Sequence, residues 1–184
     1  MHLTLTQVTA FKADLAANAN LIPAGQPWSG SFAGQAINTL PNSSDANAAI
    51  AGWYNLPRSS NWTVWRRTVP LAEIGKKLNG AELGGLSSLN HTRLQTVIIL
   101  TNATGGADPS LADQRAFWDD IFSGAGGAVT RPALLILWKR LASNLQKLFS
   151  TGTGSDAVPA TTNENVGDNF SISGPEVESI RNQA

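Results

Sequence analysis

The sequence predicts an all-α protein: a helical bundle over residues 1–154, built around a long helix in the C-terminal half, with an extended C-terminal arm over residues 155–184. Three observations carry this expectation. Leu134, Leu137, Trp138, Leu141, Leu145 and Leu148 recur at helical spacing and form one apolar stripe. That stripe is framed by Thr130 as N-cap and Pro132 in the first turn, and by Gly152 and Gly154 as a stop. After Gly154 the composition turns to Asp, Thr, Asn, Pro and Ala with almost nothing to bury, as in a linker.

Taken in order, Thr4-Leu5-Thr6-Gln7 forms a capping box for a first helix from about Leu5 to Asn18, with Val8, Phe11 and Leu15 on one face. Residues 21–42 hold Pro23, Gly25, Pro27, Gly30, Gly34 and Pro41, so an irregular connection is expected, pinned by Trp28, Phe32 and Ile37. Ser43-Ser44-Asp45 caps a second helix that runs through Tyr54 and buries Ile50, Trp53 and Tyr54 before Pro57. Asn61 to Arg67 alternates weakly and contains β-formers, which predicts a short extended piece.

Pro70 opens a third helix through Leu78, with Leu71 and Ile74 inward. A fourth begins near Ser88, with Leu89, Leu94, Val97, Ile98 and Leu100 inward. Asp108-Pro109 reads as the start of a fifth, whose face is Leu111, Arg115, Trp118, Ile121 and Phe122. Gly124 to Gly127 end it. Beyond the long sixth helix, Phe170-Ser171-Ile172-Ser173 alternates, and Gly174-Pro175 introduces a short helix with Val177 and Ile180. That surface is too small to fold alone and suits a segment added to another surface.

The totals bound function. Formal net charge is zero, which argues against non-specific nucleic-acid binding. The charge is unevenly placed: residues 1–150 hold 12 Lys/Arg against 8 Asp/Glu, whereas residues 151–184 hold only Arg181 against Asp156, Glu164, Asp168, Glu176 and Glu178. An acidic arm on a basic body would dock on itself or on a neighbour. There is no cysteine, so disulfides and thiolate chemistry are excluded. No segment approaches ~18 consecutive apolar residues and the first twenty lack a signal-peptide core, so a soluble protein made in a cytoplasm is expected. The N-x-S/T triplets at Asn42, Asn61, Asn90, Asn102 and Asn169 then count as composition.

Catalytic chemistry finds little support. His2 and His91 lie far apart, and His91 opens a helix, where an exposed or capping role is ordinary. Ser173 lacks the nucleophile-elbow frame, and Gly152-Thr153-Gly154-Ser155 follows a helix and lacks the lysine of a phosphate loop. Asp119 and Asp120 are neighbours on a helix and point apart, and Glu73 stands alone. The chain therefore reads as a non-enzyme without cofactor or metal. Arg66 and Arg67 beside Trp62 and Trp65 interleave cations with aromatics, as single-stranded nucleic-acid binders do. Six tryptophans also fit a protein that buries aromatics against neighbours.

Several motifs resemble a family of small tailed-bacteriophage virion structural proteins. They are Asn55-Leu56-Pro57, Thr63-Val64-Trp65-Arg66-Arg67-Thr68-Val69-Pro70 with Glu73-Ile74, Asp108-Pro109-Ser110, and Ala116 to Gly124. Thr130-Arg131 through Lys139-Arg140 to Gly154, and Pro159-Ala160-Thr161 with Phe170-x-Ile172 to Glu176-Val177, are similar too. The match runs through most of residues 50–184. It departs at Asn79 to Asn90, which is Gly- and Leu-rich here, and at Ser143 to Lys147.

The resemblance implies a head-to-tail connector in the virion, an adaptor ringed beneath the portal and docked through its C-terminal arm. Implied partners are copies of itself, the portal, other neck or tail proteins and DNA in transit, with no membrane. Expected partner-binding residues are Trp62, Trp65, Arg66 and Arg67, with Arg131, Lys139 and Arg140 on the long helix. Phe170, Ile172, Val177 and Ile180 complete the set in the arm. A capsid decoration or tail-associated protein and a nucleic-acid-binding phage protein are the alternatives.

Overall fold

The computed structural model describes residues 3–57 and 62–183; His2 and Asn61 lie outside them. In the first half of the chain the helices are α1 Leu5–Ala17, α2 Ser44–Asn55, α3 Leu71–Gly75 and α4 Gly80–Gly84, with strand β1 Thr63–Trp65 between α2 and α3. Then come α5 Ser88–Ala103, α6 Ala112–Ile121 and α7 Thr130–Leu137. Strand β2 Lys139–Leu141, helix α8 Asn144–Leu148, strands β3 Ser150–Thr151 and β4 Thr161–Thr162, and helix α9 Gly174–Asn182 complete the order. Strand β1 pairs with β2 and β3 with β4. The all-α expectation is thereby corrected: the fold is mixed, helices joined by two small two-stranded sheets.

The long helix is the reason. Helix α7 stops at Leu137, and Lys139–Leu141 turns extended to pair with β1. Flanking bonds from the Arg66 amide to the Trp138 carbonyl (2.8 Å) and from the Ala142 amide to the Trp62 carbonyl (2.9 Å) run in antiparallel register. A new helix then starts from a second capping box. The Ser143 hydroxyl accepts from the Gln146 amide at 3.1 Å, and the Gln146 side chain accepts from the Ser143 amide at 3.0 Å. Leu141, expected in the apolar stripe, is 49% exposed.

The chain divides into two compact units. The first comprises residues 1–62, 141–151 and 162–184. Its core joins Phe11 and Leu15 of α1, Ile50 and Tyr54 of α2, and Leu145 and Phe149. Thr4 caps α1 with Gln7 as the reciprocal partner, and Ser43 caps α2, as the sequence predicts. The buried Tyr54 hydroxyl donates to Asp14 Oδ2 at 2.5 Å and accepts from Asn18 Nδ2 at 3.2 Å. Burial first, and the bond to Asp14 second, push its phenol well above the ordinary value.

The expected arm belongs to this same core, a second correction. Val166, Ile172, Val177 and Ile180 are buried with the residues above. Helix α9 lies against α2 so closely that a Cβ on Gly174 would sit 3.1 Å from the Ala48 nitrogen. Asn55 treats residue 172 as a strand partner: its Nδ2 donates to the Ile172 carbonyl at 2.7 Å, and its Oδ1 accepts the Ile172 amide at 2.9 Å. Arg181 donates to the Leu40 and Pro41 carbonyls and to Asn47 Oδ1 at 2.8–2.9 Å. The segment does add itself to another surface, but the surface is its own.

The second unit comprises residues 63–140 and 152–161. Its core packs Trp118 and Ile121 of α6 and the C-cap residue Phe122 against Ile74 of α3, Leu134 of α7 and Trp138. The Trp118 and Phe122 rings stack at 6.5 Å, and Trp138 meets Trp118 edge-on at 6.3 Å. Asp108 does not cap α6. Its Oδ1 instead accepts from the amide and hydroxyl of Ser110, a local turn that delays the helix to Ala112. Gly127 is required where it stands, since a Cβ there would fall 1.8 Å from the Phe122 carbonyl oxygen. Leu89, Leu100 and Leu111, expected inward, are exposed.

Candidate assembly surface

The basic and aromatic residues expected to meet partners are mostly held by their own unit. In the second unit the Arg115 guanidinium lies 4.2 Å over the Trp65 ring. Arg66 forms a 2.7 Å ion pair with Glu73 and donates to the Leu137 carbonyl at 3.3 Å. That bond to Arg66 chiefly holds the Glu73 carboxyl below its ordinary range. Arg67 stands 4.0 Å from Asp108, Arg131 pairs with Asp119 at 3.3 Å, and Lys139 pairs with Asp156 at 2.8 Å. Arg140 is half-buried in β2.

In the first unit, Trp62 donates from Nε1 to the Ser150 hydroxyl at 3.2 Å and carries the Lys147 ammonium 4.5 Å over its ring. Phe170 meets Phe149 edge-on at 6.3 Å, while Ile172, Val177 and Ile180 are core. The structure therefore does not gather the predicted residues into one face. Trp62 and the four from the C-terminal segment fall in one unit, and the other six fall in the second.

What the second unit does present is uncovered aliphatic surface. On α5, Ile99 and Leu100 are 68% and 58% exposed, and on α7, Leu135 and Ile136 are 46% and 70% exposed. The reason is legible in the runs Val97-Ile98-Ile99-Leu100 and Leu134-Leu135-Ile136-Leu137. Successive helical residues turn by about 100°, so four consecutive apolar side chains cannot share one buried face. Between α5 and α6 lies a cleft of about 250 Å³ lined by Val97, Leu100, Thr101, Thr104, Asp113 and Gln114, with Phe117 as its aromatic wall. Among the described residues Asp113 makes no ion pair or hydrogen bond, whereas Gln114 Oε1 accepts the Asp108 amide at 2.7 Å.

The foot of α7 is fixed by a remote cap. Glu82 of α4 accepts the amides of Val129 (2.7 Å) and Thr130 (2.9 Å), two donors at the start of α7. The Thr130 hydroxyl, and after it those two amides, hold the Glu82 carboxyl below its ordinary value against the opposing effect of desolvation. Thr130 is itself buried, and its Oγ1 accepts the Asn79 amide at 3.0 Å. The outward face of α7 thus stands on a rigid base.

Among the described residues, no three or more His, Asp or Glu cluster as a metal site would require, and no helix is long and apolar enough to cross a membrane. No family model, no curated protein and no solved structure matches the chain.

Proposed function

We propose that this protein is a structural component of a tailed-bacteriophage virion, a head-to-tail connector that works by assembling with copies of itself into a ring beneath the portal. The observation that carries the assembly half of this reading is the uncovered aliphatic surface of α5 and α7. Large aliphatic side chains left in water on two helices of one unit support that reading. The virion half rests on the sequence motifs that resemble phage structural proteins. Docking through the C-terminal segment is not part of the proposal, because its apolar side chains already fill the first unit's core.

The nucleic-acid alternative loses its support. Trp65, Arg66 and Arg67 have partners within the chain, so binding nucleic acid through them would first break a cation–π contact and two ion pairs. The portal, other neck or tail proteins and DNA in transit remain the expected neighbours.

Gold-labelled antibody on intact and tail-stripped virions tests the proposal under the electron microscope. Label at a single vertex supports the connector. Label over the shell or along the tail moves the protein elsewhere in the particle, and particles without label overturn the virion role.

A further inference from the structure

We propose that Asn79 is a site of spontaneous covalent modification. Its amide converts to aspartate and isoaspartate when the turn joining α3 to α4 opens, and the isoaspartate form unfastens the foot of α7. The inference is independent of what the protein assembles with.

Of all the asparagines in the chain, only Asn79 is followed by glycine. The pairing matters because the attacking group is the main-chain nitrogen of the next residue, and a Cβ there would crowd its approach. Gly80 is exposed, and nothing lies within 4 Å of where a Cβ would sit. Among the described residues its amide donates no hydrogen bond. The nitrogen can therefore lose its proton to hydroxide from solvent. It then bonds to Asn79 Cγ, and Nδ2 takes a proton from water and leaves as ammonia. A second water opens the resulting five-membered imide. Breaking the bond from the Gly80 nitrogen to Cγ gives aspartate. Breaking its bond to the main-chain carbonyl carbon gives isoaspartate, whose backbone runs one carbon longer through Cβ and Cγ. Water enters, ammonia departs, and nothing is oxidised or reduced.

In the folded chain this chemistry is gated. Ring closure needs the Gly80 nitrogen eclipsed with Cβ about the Cα–C bond, and at φ −84° and ψ 122° it is turned well away. Asn79 Oδ1 is held besides by the amides of Ala81 (3.0 Å) and Glu82 (3.1 Å). Two tethers to the start of α7 flank the bond that must turn. On one side the Asn79 amide donates to Thr130 Oγ1 at 3.0 Å. On the other the Glu82 carboxylate accepts the amides of Val129 and Thr130. Both tethers end on Thr130, so the main chain between them cannot swing round until one lets go. The same bracket makes isoaspartate damaging: its extra carbon falls between two fixed points and draws Glu82 off the amides it caps. Aspartate adds no atom to the main chain and keeps an oxygen for the amides of Ala81 and Glu82.

The test is ageing of the full chain in warm, mildly alkaline buffer, followed by peptide mapping with mass spectrometry. Asn79 should convert ahead of every other asparagine, and faster in urea than in the folded chain. Gly80→Ala should suppress conversion in both. Glu82→Gln, checked for folding by circular dichroism, should speed conversion of the folded chain roughly tenfold and leave the rate in urea unchanged. That factor corresponds to about 1.4 kcal/mol less hold on the turn.

An Asn79 that outlasts the other asparagines overturns the site. Equal rates in the folded and unfolded chain overturn the gate, a comparison that stands even where the Glu82 variant fails to fold. A folded Glu82→Gln that ages no faster overturns the part given to the tether. The isoaspartate form, separated by chromatography, should exchange its Val129 and Thr130 amide hydrogens faster than Asn79→Asp does. Equal protection in the two overturns the unfastening of α7.

Discussion

The Nε2 of Gln146 donates to the main-chain carbonyl of Gly167 at 3.0 Å. The same nitrogen reaches the Asp168 carbonyl at 3.1 Å, and the amide oxygen caps Ser143. One buried side chain thus starts α8 and ties down the segment the composition marks as a linker. Gln146→Leu keeps the shape but leaves the Ser143 amide and two carbonyls to find water. The expected loss is about 1–3 kcal/mol. A lowered urea midpoint at constant slope would show it.

Removing residues 170–184 should unfold the first unit rather than trim it. Ile172, Val177 and Ile180 leave its core, and Arg181 leaves the Leu40 and Pro41 carbonyls. Far-UV circular dichroism should lose more helix than α9 alone contains, because α1 and α2 lose their packing partner. Loss of only the α9 signal would mean the segment is an appendage after all.

Two leucines separate the long-helix expectation from the structure. Leu145 is fully buried, and Leu145→Ala should cost about 2–5 kcal/mol. Leu141 is 49% exposed in β2, and Leu141→Ala should stay within about 0.5 kcal/mol. Equal losses in chemical denaturation would restore a continuous apolar stripe.

Acid should loosen the foot of α7. The Glu82 carboxyl titrates below its ordinary value of 4.5 in the folded protein, so the unfolded chain takes up the proton first as pH falls. The carboxylate's stabilisation is therefore complete above about pH 4.5 and is lost as pH drops through the lower folded value. Glu82→Gln removes it at every pH. The difference in melting temperature between this variant and the unaltered chain should shrink below pH 4.5 and hold steady above it.

Local chemistry was the legible part of this chain. Thr4 with Gln7, and Ser43 before α2, satisfy backbone donors within a few residues, so their helices begin where the letters say. The capping box of Ser143 and Gln146 was equally visible, but the leucine stripe that ran through it concealed it. Strand β2 was not visible. Lys139, Arg140 and Leu141 become extended because β1, more than seventy residues earlier, offers them backbone partners.

The C-terminal segment escapes its own local pattern for the same reason: its few apolar residues suffice because Asn55 and α2 complete their environment. At the candidate surface, interleaved arginines and tryptophans drew attention as partner binders, while Glu73, Asp108 and Arg115 were on hand to occupy them. The cleft itself lies between α5 and α6 and has no signature in either helix alone.

The first unit is drawn from three separate stretches of chain, and this sets a timetable for its birth. Helix α2 leaves the ribosome more than a hundred residues ahead of α9, the partner against which it packs. At roughly 5–20 residues per second that delay is on the order of ten seconds. Most of the second unit is translated in the interval as residues 63–140. Through that time Ile50 and Tyr54 lack Val177 and Ile180, so this core closes only once the last residues of the unit have been made.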